Sequence, residues 1–191
     1  MPATVENRRF SPLAHGERDR GTAAREVVDD VDAAWKAANL KKSPTFTATA
    51  GVYAGQSIAD GYHVRFSSTY ACVSEGMGYG MLITVLMAGV DHDAQTLFNG
   101  LLRTARGRPA YGWMNYGRTE ARYLNEWRLA ANMDSAGDGW NATDGDLDMA
   151  MALLMADRQW GSAGAVDYRS EALATLGALK SLNFAPSGEP R

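Results

Sequence analysis

Two groups of carboxylates have the types and spacing to do chemistry. Glu75 opens the run VSEGMGYGMLITVLMAG (73–89), in which Gly76, Gly78 and Gly80 alternate. Asp144, Asp146 and Asp148 crowd the start of a second apolar run, NATDGDLDMAMALLMADRQWG (141–161). Asp144 and Asp148 are four apart, so on a helix they share a face, and that face continues into Met151 and Met155. An acid aimed at a core is costly unless it has partners, which is the placement a site needs. Between the groups lie Trp113, Tyr116 and Trp140, flat rings in stretches without helical periodicity. Paired carboxylates with loop-borne aromatics suit hydrolysis of a glycosidic bond.

Other chemistries fit less well. The glycines are spaced G-x-G-x-G, not G-x-G-x-x-G, no Lys-Ser/Thr follows them, and Glu75 would repel a phosphate. The D-x-D-x-D run starts like a calcium loop, but Met149 and Met155 stand where that loop needs Gly and Glu. Plainer roles stay open for each group. Glycines in a helix cost up to about 1 kcal/mol each relative to Ala and are tolerated where another backbone comes close. A first-turn Glu or Asp can serve only as a cap or a dipole partner. Any one of the rings could simply roof the core.

The elements that must hold these residues read as helices joined by long loops. An amphipathic helix is predicted over 22–40, capped by Thr22, with Val27, Val28, Val31, Trp35 and Ala38 on one stripe. Residues 45–69 read as loop with a short strand or two. Further helices are predicted over 75–88 (Met81, Leu82, Val85, Leu86), 93–105 (Leu97, Phe98, Leu101 and Leu102 inward) and from Asp144 as cap to Trp160, with Leu147, Met151, Leu154 and Met155 inside. A last one covers 168–182. Without alternation of strand and helix, the class is all-α.

Composition bounds the rest. The 191 residues are 46% hydrophobic, and 19 basic against 22 acidic residues leave a formal charge of −3. There is no basic stripe for nucleic acid. No segment is apolar and long enough to cross a membrane, and the polar start has no signal-peptide core. One cysteine, Cys72, excludes an internal disulfide and reads as a small buried residue. Residues 1–21 read as a flexible tail and 22–191 as the N-terminal part of a catalytic domain. No cofactor and no metal is expected.

VSEGMGYGMLI followed, 69 positions on, by ATDGDLDMAMALLMADRQWG closely resembles glycoside hydrolase family eight, a group of bacterial endo-1,4-glucanases, chitosanases, lichenases and xylanases. The resemblance covers residues 35–184. It implies an (α/α) barrel of six helical hairpins, with the substrate cleft at the end where inner helices begin. It also implies hydrolysis of internal β-1,4 linkages of a cellulose-type glucan with inversion. Glu75 becomes the general acid and Asp144 the carboxylate that grips and orients the distorted sugar. Tyr79, Trp113 and Trp140 contact substrate, while Asp146 and Asp148 cap and support. The implied partner is a polysaccharide, met outside the cytoplasm by a monomer. An inverting base stands about 6.5–9.5 Å from the acid, and the family carries it well beyond ATDGD. Five helices are read here where the barrel has twelve, so the expectation is an incomplete barrel lacking base and closure, and by itself a poor enzyme or a glycan-binding fragment.

Overall fold

The computed structural model describes residues 15–188. They form six α-helices: α1 His15–Asn39, α2 Ser74–Leu86, α3 Ala94–Gly107, the single turn α4 Tyr111–Met114, α5 Thr143–Trp160 and α6 Tyr168–Leu182. Short antiparallel ladders link them: β1 Leu40–Lys42 with β4 Tyr62–Val64, β2 Phe46–Thr47 with β3 Ser57–Ile58, and β5 Tyr70–Val73 with β6 Arg128–Ala130. The 45–69 stretch thus holds more strand pairing than its pattern suggested. None of these helices is long and apolar enough to cross a membrane.

α2 lies against α3 on one side and α5 on the other, and α5 lies against α6. The main core sits between them, built from Met77, Met81 and Val85 of α2, Phe98, Leu101 and Leu102 of α3, and Met149, Leu153 and Ala156 of α5. The α3 stripe Leu97, Phe98, Leu101 and Leu102 is buried as its spacing predicts. A second cluster, Ala110, Ala121, Leu124, Leu179 and Leu182, packs with Trp113 and joins α6 to the aromatic loops. Arg106, fully buried at the end of α3, stitches these parts together. It donates to Glu171 (2.7 Å), to the Thr175 hydroxyl (2.7 Å) and to the Tyr123 carbonyl (2.6 Å).

Several sequence expectations are corrected. α1 starts at His15, so Thr22 lies within it rather than capping it, and the first fourteen residues of the expected tail fall outside the described ones. Its valine stripe is not core: Val27 and Val31 are 61% and 64% exposed. The packed face instead carries Asp32 and Lys36, whose ammonium pairs with Asp32 (2.8 Å) and with Asp91 (2.7 Å). Leu86 is exposed. On α5 the capping position is Ala142, and Asp144 lies inside the first turn. Leu147, Met151 and Leu154 are exposed, while Met149, Ala150, Leu153 and Ala156 are buried. α5 is apolar on two faces, so periodicity alone fits either one. Packing against α2 and α6 selects the 146/149/150/153 face.

The glycines of the two motifs explain the α2–α5 contact. A Cβ on Gly145 would stand 2.6 Å from the Ser74 carbonyl carbon and 2.8 Å from the Glu75 nitrogen. A Cβ on Gly78 would stand 2.6 Å from Asp148 Cβ and 3.0 Å from the Gly145 oxygen. Gly80 does the same service on the other side, where a Cβ would meet Val64 at 2.5 Å, whereas Gly76 has only ordinary contacts. Backbone cannot yield as a flexible side chain can, so Gly145→Ala should cost about 1–3 kcal/mol of stability, in the range of overpacked cores. Gly177, exposed within α6 with nothing near it, is the contrast: Gly177→Ala should gain about 0.5–1 kcal/mol through helix propensity. Urea unfolding of the two variants beside wild type checks both signs.

Candidate active site

The Gly145 contact brings the two acidic motifs together. It sets the first turn of α5 on the Ser74–Glu75 peptide, so Glu75 and Asp144 leave adjacent backbones at the starts of two neighbouring helices. Glu75 is half-buried, and its Oε2 accepts a hydrogen bond from the Ser74 hydroxyl at 3.3 Å. Asp144 is exposed, and its Oδ1 accepts from the Gly145 N–H at 2.9 Å. Both sit in the first turns of their helices, where backbone N–H groups lack intrahelical partners. Tyr79, four residues after Glu75 and on the same face of α2, is 56% exposed.

The three aspartates of α5 diverge, because successive helical residues turn by about 100°. Asp144 faces solvent and Asp148 is half-buried against Gly78. The face shared by Asp144 and Asp148 runs into core only in part: Met151 is exposed, whereas Met155 is partly buried against the main core. Asp146, expected only to cap or support, is fully buried. It accepts the Asn125 N–H at 2.8 Å on Oδ1 and the Asn141 side-chain amide at 2.9 Å on Oδ2. Asn141 in turn accepts the Trp113 indole N–H at 2.9 Å. Burial pushes the Asp146 carboxyl up to about 7, aided by the charge of Asp144 and opposed by those two hydrogen bonds and by Arg106. Burial likewise raises Asp148, with Asp144 adding to it. Among the described residues no group of His, Cys, Asp or Glu gathers to hold a metal ion. Cys72 is buried, its thiol pushed up to about 12 by desolvation, as its inert reading expects.

The aromatic residues read from the sequence do converge. The Trp113 and Trp140 rings meet edge to face at 5.1 Å, and Tyr116, 75% exposed, stacks on Trp140 at 6.3 Å and 23°. This cluster is tied to the acids through the main chain. The Ser74 N–H donates to the Trp127 carbonyl (2.9 Å), and the Trp127 N–H donates to the Trp140 carbonyl (2.9 Å). Sequence reasoning missed the residues that hold the cluster, namely Asn125, Glu126 and Asn141. Polar residues in an irregular stretch give no periodic signal, and only the position of Asn141, three before Asp144, hinted at a role.

The arrangement can place a proton donor and a second carboxylate beside a face of flat rings, which suits a chain of sugars. Residues 44–188 match the model of glycosyl hydrolases family 8. The β-glucanase of Niallia circulans is 39% identical over 134 residues, which are 70% of this chain and 27% of that protein. The endoglucanase of Bacillus sp. strain KSM-330 is 48% identical over 99 residues, 52% of this chain and 20% of the relative. The chain therefore spans between a fifth and somewhat over a quarter of these curated relatives. Among solved structures, the apo β-1,3-1,4-glucanase of Paenibacillus sp. X4 superposes with a TM-score of 0.63 at 31% identity, over 93% of this chain and 39% of that one. A cold-adapted family 8 xylanase, at 22% identity and a TM-score of 0.55, shares the fold.

Asp146 makes stability depend on pH. Its folded-state pKa lies above the unfolded value, so the fold binds the extra proton. The resulting stabilisation is complete below about pH 4 and is lost as pH rises through about 7. Asp146→Asn cannot ionise, so it should flatten the fall in unfolding midpoint between pH 4 and 7. Its amide would also face the Asn141 amide donor to donor, so the Trp113 indole N–H resonance should shift. Thermal unfolding across that range and a proton–nitrogen spectrum check the two effects.

Proposed function

The chain belongs to glycosyl hydrolase family 8, and from that membership we propose that it carries the proton-donating side of a site that hydrolyses internal β-1,4 linkages of a glucan with inversion. The fold is correspondingly part of an (α/α) barrel, mostly helical, with α2 and α5 starting side by side. The observation that supports the reading most is the backbone lock at Gly145, which sets Glu75 and Asp144 side by side at that end.

In this reading Glu75 gives its proton to the glycosidic oxygen as the bond to the leaving sugar breaks. Asp144, exposed at the neighbouring helix start, accepts hydrogen bonds from hydroxyls of the sugar being cleaved and helps hold that ring distorted. Tyr79, Trp113 and Trp140 lie against sugar faces, and Tyr116 joins them through its stack on Trp140. A water attacks the opposite face of the ring and gives its proton to a base about 6.5–9.5 Å from the acid. We assign that base to no described residue. A polymer of this size is met outside the cytoplasm, so export belongs to the same reading.

A chimera supplies the test. Residues 44–188 replace the corresponding part of the Paenibacillus sp. X4 enzyme, so that the acid and the orienting carboxylate come from this chain. Reducing-end release from a soluble β-glucan and from carboxymethyl-cellulose is then measured. Glu75→Gln should lower kcat by about 10²–10⁴-fold, the usual scale for one general acid, and Asp144→Asn should lower it less while raising KM. A Glu75→Gln chimera that cleaves as fast as its parent sinks the assignment of the acid.

A further inference from the structure

Glu126 is fully buried, lies outside both acidic motifs and has no part in the proton transfer described above. Its Oε1 gathers three donors: the Ser135 hydroxyl, the Gly137 N–H at 2.8 Å and the Gly139 N–H at 3.2 Å. Its Oε2 has no hydrogen-bond partner. The charge sits beside the buried Arg108, with which it lines a cavity of about 300 Å³. A buried carboxylate is expensive unless its bonds hold something in place.

What they hold is the loop that ends in Trp140. Between β6 and α5 the chain keeps two non-glycine residues in the left-handed region, Met133 (φ 66°) and Asp138 (φ 57°), followed by Gly139 (φ 79°). Such conformations persist only where the surroundings over-determine them. The Gly137 and Gly139 N–H groups form a concave anion nest, and the anion is internal. The loop is fitted tightly on either side of that nest. A Cβ on Gly137 would strike the Trp127 indole at 2.5 Å, and one on Gly139 would stand 2.6 Å from the Gly112 nitrogen. The Gly139 carbonyl accepts from the Gly112 N–H (2.7 Å), and the Gly137 carbonyl accepts from the Trp127 indole (3.1 Å) and from the Trp140 N–H (3.2 Å). Trp140 meets Trp113 edge to face and stacks with Tyr116. Position therefore passes from one buried oxygen, through two glycine amides, to the ring at the centre of the aromatic cluster.

We propose that Glu126 is a positioning residue for saccharide binding: its carboxylate fixes the 135–140 loop and thereby the pose of Trp140 in the sugar-stacking face. The proposal rests on the glycan reading for its consequence, but the anchor itself can be tested apart from it. Glu126→Met keeps the length and apolar stem of the side chain while leaving three donors without an acceptor. Glu126→Gln keeps one carbonyl oxygen in the place of Oε1. Ser135→Ala removes a single donor and is the mildest change.

The whole chain is used throughout, with far-UV circular dichroism as the folding control. In Glu126→Met the Gly137 and Gly139 amides should lose protection from hydrogen exchange, and the near-UV signal of the paired Trp113 and Trp140 rings should collapse. Glu126→Gln should retain much of both, and Ser135→Ala nearly all. Cellohexaose binding, measured by calorimetry, should weaken in Glu126→Met by roughly five- to tenfold, the scale of one lost aromatic contact. The same substitution should have little further effect in a Trp140→Ala background, because both changes remove one interaction. A merely structural role predicts equal losses in both backgrounds and no rescue by Gln, and either result overturns the proposal. So does unchanged amide protection in Glu126→Met. If the Met variant loses amide protection while wild type fails to bind cellohexaose, the anchor stands and the glycan reading falls.

Discussion

The placement of both acidic motifs follows from one steric constraint: α2 and α5 touch backbone to backbone at their first turns. Most helix pairs are held apart by side chains to 8–10 Å between axes. Here Gly78 and Gly145 remove the side chains at the crossing, so Asp148 and the Ser74–Glu75 peptide come within contact of the opposing helix. The cost in helix propensity is real, and the return is positional. Two helix starts that touch through main chain cannot slide without breaking that fit, so the carboxylates they carry inherit a fixed separation.

That fixed crossing also decides which aspartate does what. With the Gly145 face pressed on α2, the helical turn sends Asp144 toward solvent and Asp146 into the protein. Asp146 is left with no water, and it stays because Asn125 and Asn141 meet both of its oxygens. The same two bonds pull the loop before α5 onto the helix and bring Trp113 to its place through Asn141. One residue type at alternate positions thus takes two roles, one facing solvent beside Glu75 and one anchoring the loop before α5.

Much of this was legible in the sequence, unevenly. The glycine run announced a close approach, and the α3 stripe gave its buried face directly, because Leu97, Phe98, Leu101 and Leu102 have only one apolar side to offer. α5 misled because Leu147, Met151 and Leu154 make a second apolar face as regular as the buried one, and only the partner helices choose between them. α1 misled for the opposite reason: its valines looked like core, but the helix is fastened by Lys36, which pairs with Asp32 one turn away and with Asp91 across 55 positions, and the second pair has no local signature. The acids that the structure sets side by side, Glu75 and Asp144, were read from their motifs. The residues that hold the aromatic wall were not, since most of the bonds through which Asn125, Glu126 and Asn141 act close across ten or more positions, much of it irregular chain.

The aromatic wall raises a physical problem that the carboxylates solve. Flat rings that stay half-exposed at a surface cannot be held by burial, because burial would take away the face they present. Trp140 is 39% exposed and Tyr116 more so, and neither belongs to either apolar cluster. Directional bonds to the main chain beneath them are the alternative, and hydrogen bonds to a buried charge are the strongest of these. Glu126 under the loop and Asp146 at its end supply two such buried carboxyl groups, one gathering glycine amides and one gathering asparagines. The arrangement explains why a segment with so little regular structure contains so many buried polar groups. Each is costly in isolation, and together they allow rings to stand rigid at a surface without being swallowed by the core.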